Sequence, residues 1–273
     1  MSEPRTLAPP ERRVAVVSGV ERIGAYSVIT AHDTEGPRDP RPGQFYMLAT
    51  EDCWGGSGDE RPYLPRAFSY ARAHAEPDGV ALSFLLEAVG PGTERLAELR
   101  TDDGLALVGP LGVGFRTSPD GRRPILVGGG IGAAPLLCLQ EEFDEATLLL
   151  GFRSAAHAQA AALFSGEPRV ITDDGSVGGQ GLVTELLAGE LDADPGGTVF
   201  ACGPPAMLEA VRALCADRGV PAQLALESGM ACGFGACFGC VVPTTDGYVR
   251  LCVDGPVLDA DRLETALFAG AGH

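Results

Sequence analysis

From Arg13 to about Phe115 the apolar residues come in short β-rich runs separated by Gly/Pro turns. The runs are Val14–Val17, Tyr26–Thr30, Gln44–Thr50, Ala67–Ala71, Val80–Val89 and Leu105–Val108. Apart from Thr93 to Leu99, no stretch here has the period of an amphipathic helix. Six such runs predict a small antiparallel β-barrel. Cys53 to Arg61, rich in glycine and acids, reads as a surface loop, and residues 1 to about 11, with three prolines and no periodicity, as a disordered tail.

Past Pro124 the pattern changes. Pro124-Ile-Leu-Val127 predicts a short strand, Gly128 to Gly132 a loop, and Ala133 to Phe143 a mostly apolar helix with Pro135 in its first turn. Further strands are expected at Ala146–Leu150, Arg169–Thr172 and Thr198–Ala201, and a helix at Leu182–Leu191. Met207, Leu208, Val211, Leu214 and Cys215 mark the buried stripe of another helix, which stops at Gly219. Strands alternating with helices predict a doubly wound parallel sheet. The expected organisation is a β-barrel over 12–117, an α/β domain over 122–225 and a cysteine-rich segment over 226–273.

Charge and composition narrow the partners. A formal net charge of −17 over 273 residues opposes binding to nucleic acid or to an anionic membrane surface. Ser228 to Thr245 and Pro124 to Gln140 are uncharged but too broken by glycine to span a bilayer. The N-terminus, Met-Ser-Glu-Pro-Arg, lacks the apolar core of a signal peptide, so the 8 cysteines point to a reducing, cytoplasmic setting and to bound metal. Cys53, Cys138, Cys202 and Cys215 lie singly in mostly apolar context and read chiefly as buried small hydrophobes.

The other four cysteines carry the strongest chemistry. Cys232, Cys237, Cys240 and Cys252 form a C-x4-C-x2-C-x11-C array with Gly229, Gly233, Gly235 and Gly239 among them. Four thiolates suit a two-iron, two-sulfide (2Fe-2S) cluster, and glycine lets backbone N–H groups approach its sulfides. The first two spacings are those of plant-type ferredoxins, whereas the fourth cysteine follows much sooner. A structural zinc site is the competing reading, but it usually shows two separated short-spaced pairs and no glycine between every ligand.

Gly128-Gly-Gly-Ile-Gly132 stands between a strand and a helix, where a backbone can approach a pyrophosphate, the alternative being a purely structural turn. Cys202-Gly-Pro-Pro205 closes a later strand on the ligand-binding edge, so Cys202 is either a nicotinamide-pocket residue or a packing cysteine. In the barrel, Arg66-Ala67-Phe68-Ser69 pairs a permanent cation with a hydroxyl, and Gly92 and Thr93 open a helical stretch. Each alone reads equally as a salt bridge or a helix cap. Together they suggest a second phosphate-bearing cofactor.

Barrel, nucleotide sheet and cysteine segment in this order resemble the electron-transfer subunit of class B dihydroorotate dehydrogenase, within the ferredoxin reductase superfamily. The likeness runs from about Arg12 to Leu263 and includes Arg66–Ser69, Gly90–Thr93, Gly109–Phe115, Gly128–Pro135, Thr172–Ser176, Ala201–Pro204 and Met230–Cys252. It implies that Arg66 and Ser69 hold FAD, that Gly92 and Thr93 hold its pyrophosphate, and that Leu85, Leu86 and Glu87 run beside it. It also implies that NAD binds at the loop of Gly128, Gly130 and Gly132. Two positions depart from the family: Ala67 stands where proline is usual, and Glu87 where a basic residue is more frequent.

The resemblance further implies a partner, an FMN-containing dihydroorotate dehydrogenase catalytic subunit, in a heterotetramer with two of each chain. Electrons would pass from that FMN through the 2Fe-2S cluster to FAD and then to NAD+, in de novo pyrimidine (UMP) biosynthesis. A flavin between the two is needed because the cluster carries single electrons and NAD accepts a hydride; no side chain need act as acid or base. The alternative is an FAD/2Fe-2S NAD(P)H reductase subunit of another redox complex, serving a hydrogenase or a ferredoxin. Arg153, after the second strand of the nucleotide sheet, stands where NAD-binding folds often carry an acid. With no further lysine or arginine in the Ala-Ala-His-Ala-Gln-Ala-Ala run that follows Ser154, NADH is expected to be preferred over NADPH.

Overall fold

The computed structural model describes residues 4–9, 11–52, 54, 64–117 and 121–268. Cys53 and, apart from Trp54, the rest of the expected Cys53–Arg61 loop lie outside the described residues. The first half forms β1 (Arg13–Ile23), β2 (Tyr26–Asp33), β3 (Phe45–Thr50), β4 (Arg66–Ser69), β5 (Arg72–Glu76), β6 (Gly79–Leu86), the short helix α1 (Pro91–Ala97) and β7 (Gly104–Leu111). These strands make one antiparallel sheet in the order β4-β3-β7-β1-β2-β6-β5. Its two edge strands, β4 and β5, are joined only by Tyr70 and Ala71, so the sheet must curl until its edges meet, as a barrel requires. Among the described residues there are seven strands where six runs were expected. β5 escaped notice because its pattern, Arg-Ala-His-Ala-Glu, is half-exposed and polar.

β1 alternates strictly at its start, with Arg13, Ala15 and Val17 buried and Val14, Val16 and Ser18 exposed. β3 is buried at every position because both its faces are covered. Tyr46 and Leu48 point into the barrel core, whereas Phe45 and Met47 join the core of the second half. Inside the barrel, Arg13 pairs with Asp33 at 2.8 Å and donates to the carbonyl of Gly109 at 2.6 Å. The expected disordered tail is in part tied down. Thr6 N–H donates to Gln44 Oε1 at 3.0 Å, Gln44 Nε2 returns a bond to the Thr6 carbonyl at 3.1 Å, and Gly114 N–H donates to the Pro4 carbonyl at 2.7 Å.

The second half runs β8 (Arg123–Gly129), α2 (Ala134–Gln140), β9 (Thr147–Phe152), α3 (Ala155–Ala158), β10 (Arg169–Thr172), α4 (Val183–Ala193), β11 (Gly197–Cys202), α5 (Pro205–Arg218) and β12 (Ala222–Ala225). The cysteine segment adds β13 (Val241–Thr244), β14 (Gly247–Arg250), α6 (Leu251–Asp254) and β15 (Val257–Asp259). The sheet order is β10-β9-β8-β11-β12-β15, parallel except for β15, which pairs antiparallel with β12. Chain order reverses direction between β8 and β11, the switch point where open α/β sheets bind ligands at their carboxyl ends. α2 packs with barrel residues Tyr26, Leu85 and Phe115 on one face of the sheet, and α4 and α5 cover the other. The expected glycine loop is shorter than read: Gly128 and Gly129 finish β8 and Gly130–Ala133 form a single 3-10 turn. Among the described residues, no helix is long and apolar enough to cross a membrane.

Candidate functional site

Between β12 and β15 the chain leaves the sheet to build the cysteine loop. β13 and β14 form a hairpin inserted between the third and fourth cysteines, and this accounts for the x11 spacing. Cys240 immediately precedes β13, and the hairpin returns Cys252 beside it, with the two sulfurs 3.1 Å apart. Burial alone would push the Cys232 thiol up, but backbone N–H groups of Cys237, Phe234 and Ala236, with the Cys237 thiol, bring it down to about 6. Cys252, buried and against the Cys240 thiol, is pushed up to about 12. The backbone N–H groups of Gly239 and Cys252 each lie 3.5 Å from a cysteine sulfur. The sulfurs thus stand as two close pairs, Cys232 with Cys237 and Cys240 with Cys252, and two such pairs with N–H donors turned toward them fit the two irons of a 2Fe-2S cluster.

Gly233 holds this loop to the barrel. It sits at φ +79°, and a Cβ there would collide with Cγ of Met47 and lie 3.1 Å from Leu111. Met47 pairs in register with Ala67 of β4, so the cysteine loop leans on the strand beside Arg66–Ser69. Cys240 and Cys252 are buried, Cys232 is half-buried and Cys237 is exposed. Phe234 and Phe238 flank Cys237, 53% and 63% exposed. Arg250 braces the loop, donating to the Gly235 carbonyl at 2.9 Å and lying 5.2 Å from the Phe238 ring centre.

On the barrel, Arg66 and Gly92 meet although 26 positions separate them: a Cβ on Gly92 would lie 2.7 Å from Cζ of Arg66. Arg66 Nη1 donates to the Leu64 carbonyl at 2.5 Å, and its guanidinium lies 5.8 Å from the Trp54 ring centre. Ala67 is exposed, and Phe68 and Ser69 are half-buried. The Thr93 hydroxyl is engaged locally, accepting from the N–H groups of Val89 and Gly90 at 2.9 and 3.1 Å and donating to the Gly90 carbonyl at 3.0 Å. Leu85 and Leu86 are fully buried core side chains, so only their backbone is free to meet a ligand.

A cavity of about 500 Å³ opens at the carboxyl ends of β8, β9 and β11, walled among others by Gly129, Gly130, Arg153, Asp173, Met207 and Glu227. Of the sequence-predicted loop glycines, Gly130 faces it. Gly132 instead makes room for the carbonyl of Cys202, and Gly128 for Leu150 and Leu136. Cys202 itself is 4% exposed, and burial, followed by the nearby Glu227 carboxyl, pushes its thiol up. The wall past β11 is formed by Pro204, Pro205 and Met207. Glu87 also reaches the cavity, from the barrel side, and lies 3.2 Å from His157 Nε2; Ser154 Oγ is 2.9 Å from the other ring nitrogen. Sequence reasoning missed Gly129, Asp173 and Glu227 as wall residues. Their signal is position alone: Gly129 closes β8, Asp173 directly follows β10 and Glu227 lies two residues past β12.

Residues 227–264 match the family described as the iron-sulfur cluster binding domain of dihydroorotate dehydrogenase B. The chain is 35% identical over 235 residues, 83% of its length and 88% of the relative's, to a dihydroorotate dehydrogenase B (NAD(+)) electron transfer subunit from Caldanaerobacter subterraneus subsp. tengcongensis. This chain belongs to that electron transfer subunit family. Its counterpart from Clostridium acetobutylicum is 32% identical over 266 residues, covering 96% of this chain and 98% of the relative. The fold of this family member is also that of a solved NADH-dependent reduced ferredoxin-NADP oxidoreductase, with a TM-score of 0.75 at 22% identity over 93% of this chain and 90% of that one.

Proposed function

We propose that the chain is the electron-transfer subunit of an NAD-linked dihydroorotate dehydrogenase, serving de novo pyrimidine biosynthesis in the cytoplasm. It would accept electrons from an FMN-containing catalytic subunit, in an assembly of two of each chain, and deliver them to NAD+. The observation that carries this reading is the lodging of the cysteine loop against Met47, one strand from Arg66–Ser69, within a chain of this family. FAD and the 2Fe-2S cluster, when bound, supply the conversion between single electrons and hydride transfer. The residues of the chain set position. Cys232, Cys237, Cys240 and Cys252 would hold the cluster, Arg66 and the backbone at Gly92 the FAD phosphates, and Gly129 and Gly130 the NAD pyrophosphate. The exposed Cys237, between Phe234 and Phe238, would turn the cluster toward the catalytic partner, where a short path favours electron transfer.

Residues 12–117, 122–225 and 226–273 serve in this reading as flavin, nucleotide and cluster units, the last returning β15 to the nucleotide sheet. Purification with the catalytic subunit and an assay of dihydroorotate-dependent NADH formation test the proposal. Tight flavin and cluster binding with no NADH formed from dihydroorotate would overturn it.

A further inference from the structure

β5 is an edge strand with no buried side chain, held along its length by pairing with β6. At the turn between them three side chains of metal-ligating type meet. Glu76 closes β5, Asp78 stands in the turn, and His32 reaches across from β2, on the far side of β6. His32 Nε2 lies 3.3 Å from Glu76 Oε2 and 3.4 Å from Asp78 Oδ1, and the three atoms all fall within 4.8 Å of one another. Strands two places apart in a sheet are separated by about 9–10 Å, so such a meeting needs a gap in the strand between. Gly79, the first residue of β6, supplies it: a Cβ there would lie 2.7 Å from His32 Nε2.

The two contacts of His32 are not hydrogen bonds. Among the described residues Nε2 has no hydrogen-bond partner, yet it is shielded from solvent, a costly state for a ring nitrogen. A protonated ring would aim its N–H at an acceptor, and neither carboxylate stands in that line. A metal ion accounts for both the spacing and the angle. Ligand atoms about 2.0–2.1 Å from a tetrahedral zinc ion stand about 3.3–3.4 Å from one another, to the side of each bond axis. Imidazole nitrogen and carboxylate oxygen are both zinc donors, and two carboxylates balance the charge of a divalent ion. We propose that His32, Glu76 and Asp78 bind a divalent cation of the zinc class, with water as fourth ligand, which pins the β5–β6 turn to β2. The carboxylates are 45% and 75% exposed, so the ion reaches them directly from solvent. None of the three residues walls the cavity or belongs to the cysteine loop, so the ion serves the fold and not electron transfer.

Calorimetric titration of the flavin- and cluster-loaded full-length protein with zinc chloride tests the site, with the cluster followed by its visible absorbance. The parent protein is expected to take up one zinc ion with the cluster spectrum unchanged, and to unfold at a higher temperature when zinc is present. Asp78→Ala changes an exposed turn position, so the fold should persist while zinc affinity falls at least about tenfold. His32→Gln should weaken zinc by at least as much, and both variants should lose the zinc-dependent rise in unfolding temperature. No uptake by the parent would overturn the proposal. Uptake at parental strength in either variant, or uptake that occurs only as the cluster bleaches, would place the ion elsewhere and overturn it equally.

Discussion

Gly92→Ala separates flavin binding from folding. An alanine Cβ would lie 2.7 Å from Cζ and Nε of Arg66 and 2.8 Å from Nη2, so something must shift, and the movable partner is the far end of the arginine. The cost to the fold is therefore small, and alanine is the better helix residue by up to about 1 kcal/mol. The cost to FAD is larger. A hydrogen bond to a charged group contributes about 1.5–3 kcal/mol, so a displaced guanidinium should weaken FAD roughly 10- to 150-fold. Arg66→Ala should cost about 2 kcal/mol or more for the same reason. Because both changes act through one guanidinium, the double variant should bind FAD no more weakly than Arg66→Ala alone. Titration of the apoprotein by flavin fluorescence, alongside its thermal unfolding, measures both quantities. Unchanged FAD affinity in Gly92→Ala, or losses that add in the double variant, would refute the reasoning.

Cys237→Ser should remove cluster iron and leave FAD bound, as read by iron and sulfide analysis and the visible spectrum; stoichiometric zinc without sulfide in the parent would refute the cluster. Arg13→Ala strands the Asp33 carboxylate in the barrel core, where the paired side chains are each 1% exposed, so urea unfolding should show a loss of about 3–5 kcal/mol. Replacing both partners, as in R13M/D33L, should recover much of that loss, and a single-variant loss under about 1 kcal/mol would place the pair with weak surface bridges. Burial raises the Glu227 carboxyl above its ordinary value, so the folded state disfavours its charged form and stability falls as pH rises through that raised value. Glu227→Gln should therefore stabilise the protein at neutral pH and give no gain below the ordinary carboxylate range; an equal gain at both pH values would count against the assignment.

The chemistry was more legible than the fold's edges. Four cysteines at fixed spacing with glycines between them state their purpose locally, because cluster ligation needs nearby sulfurs and close backbone. The strands found without difficulty, such as β2 and β8, bury apolar residues that mark them in the chain. β5 is a polar edge, and β12 and β15 are only four and three residues long, stabilised by neighbours that no local pattern announces. The helix expected to reach Phe143 ends at Gln140, and the segment around Thr6 looked unstructured because Gln44, far along the chain, supplies the hydrogen bonds of Thr6. The Thr172–Ser176 segment was visible as part of a resemblance. That Asp174 is taken by its own turn while Asp173 faces the cavity depends on bonds to Ser176 and Val177 that residue types do not disclose.

The antiparallel pairing of β15 with β12 makes the whole cluster unit an excursion from a hairpin. Ala225 faces Val257, and Leu226 N–H donates to the Pro256 carbonyl at 2.9 Å, so the chain departs and returns at one place. Such a segment is detachable in topology: a tight turn could join those ends and leave every other strand in its place. Packing opposes the excision, since Phe45 and Met47 share a core with Cys240, Val242, Leu251 and Cys252 and would be uncovered. A reductase could thus gain a cluster by insertion at a single hairpin, without rewiring its sheet. Keeping it requires that one face of the barrel turn apolar, as β3 has.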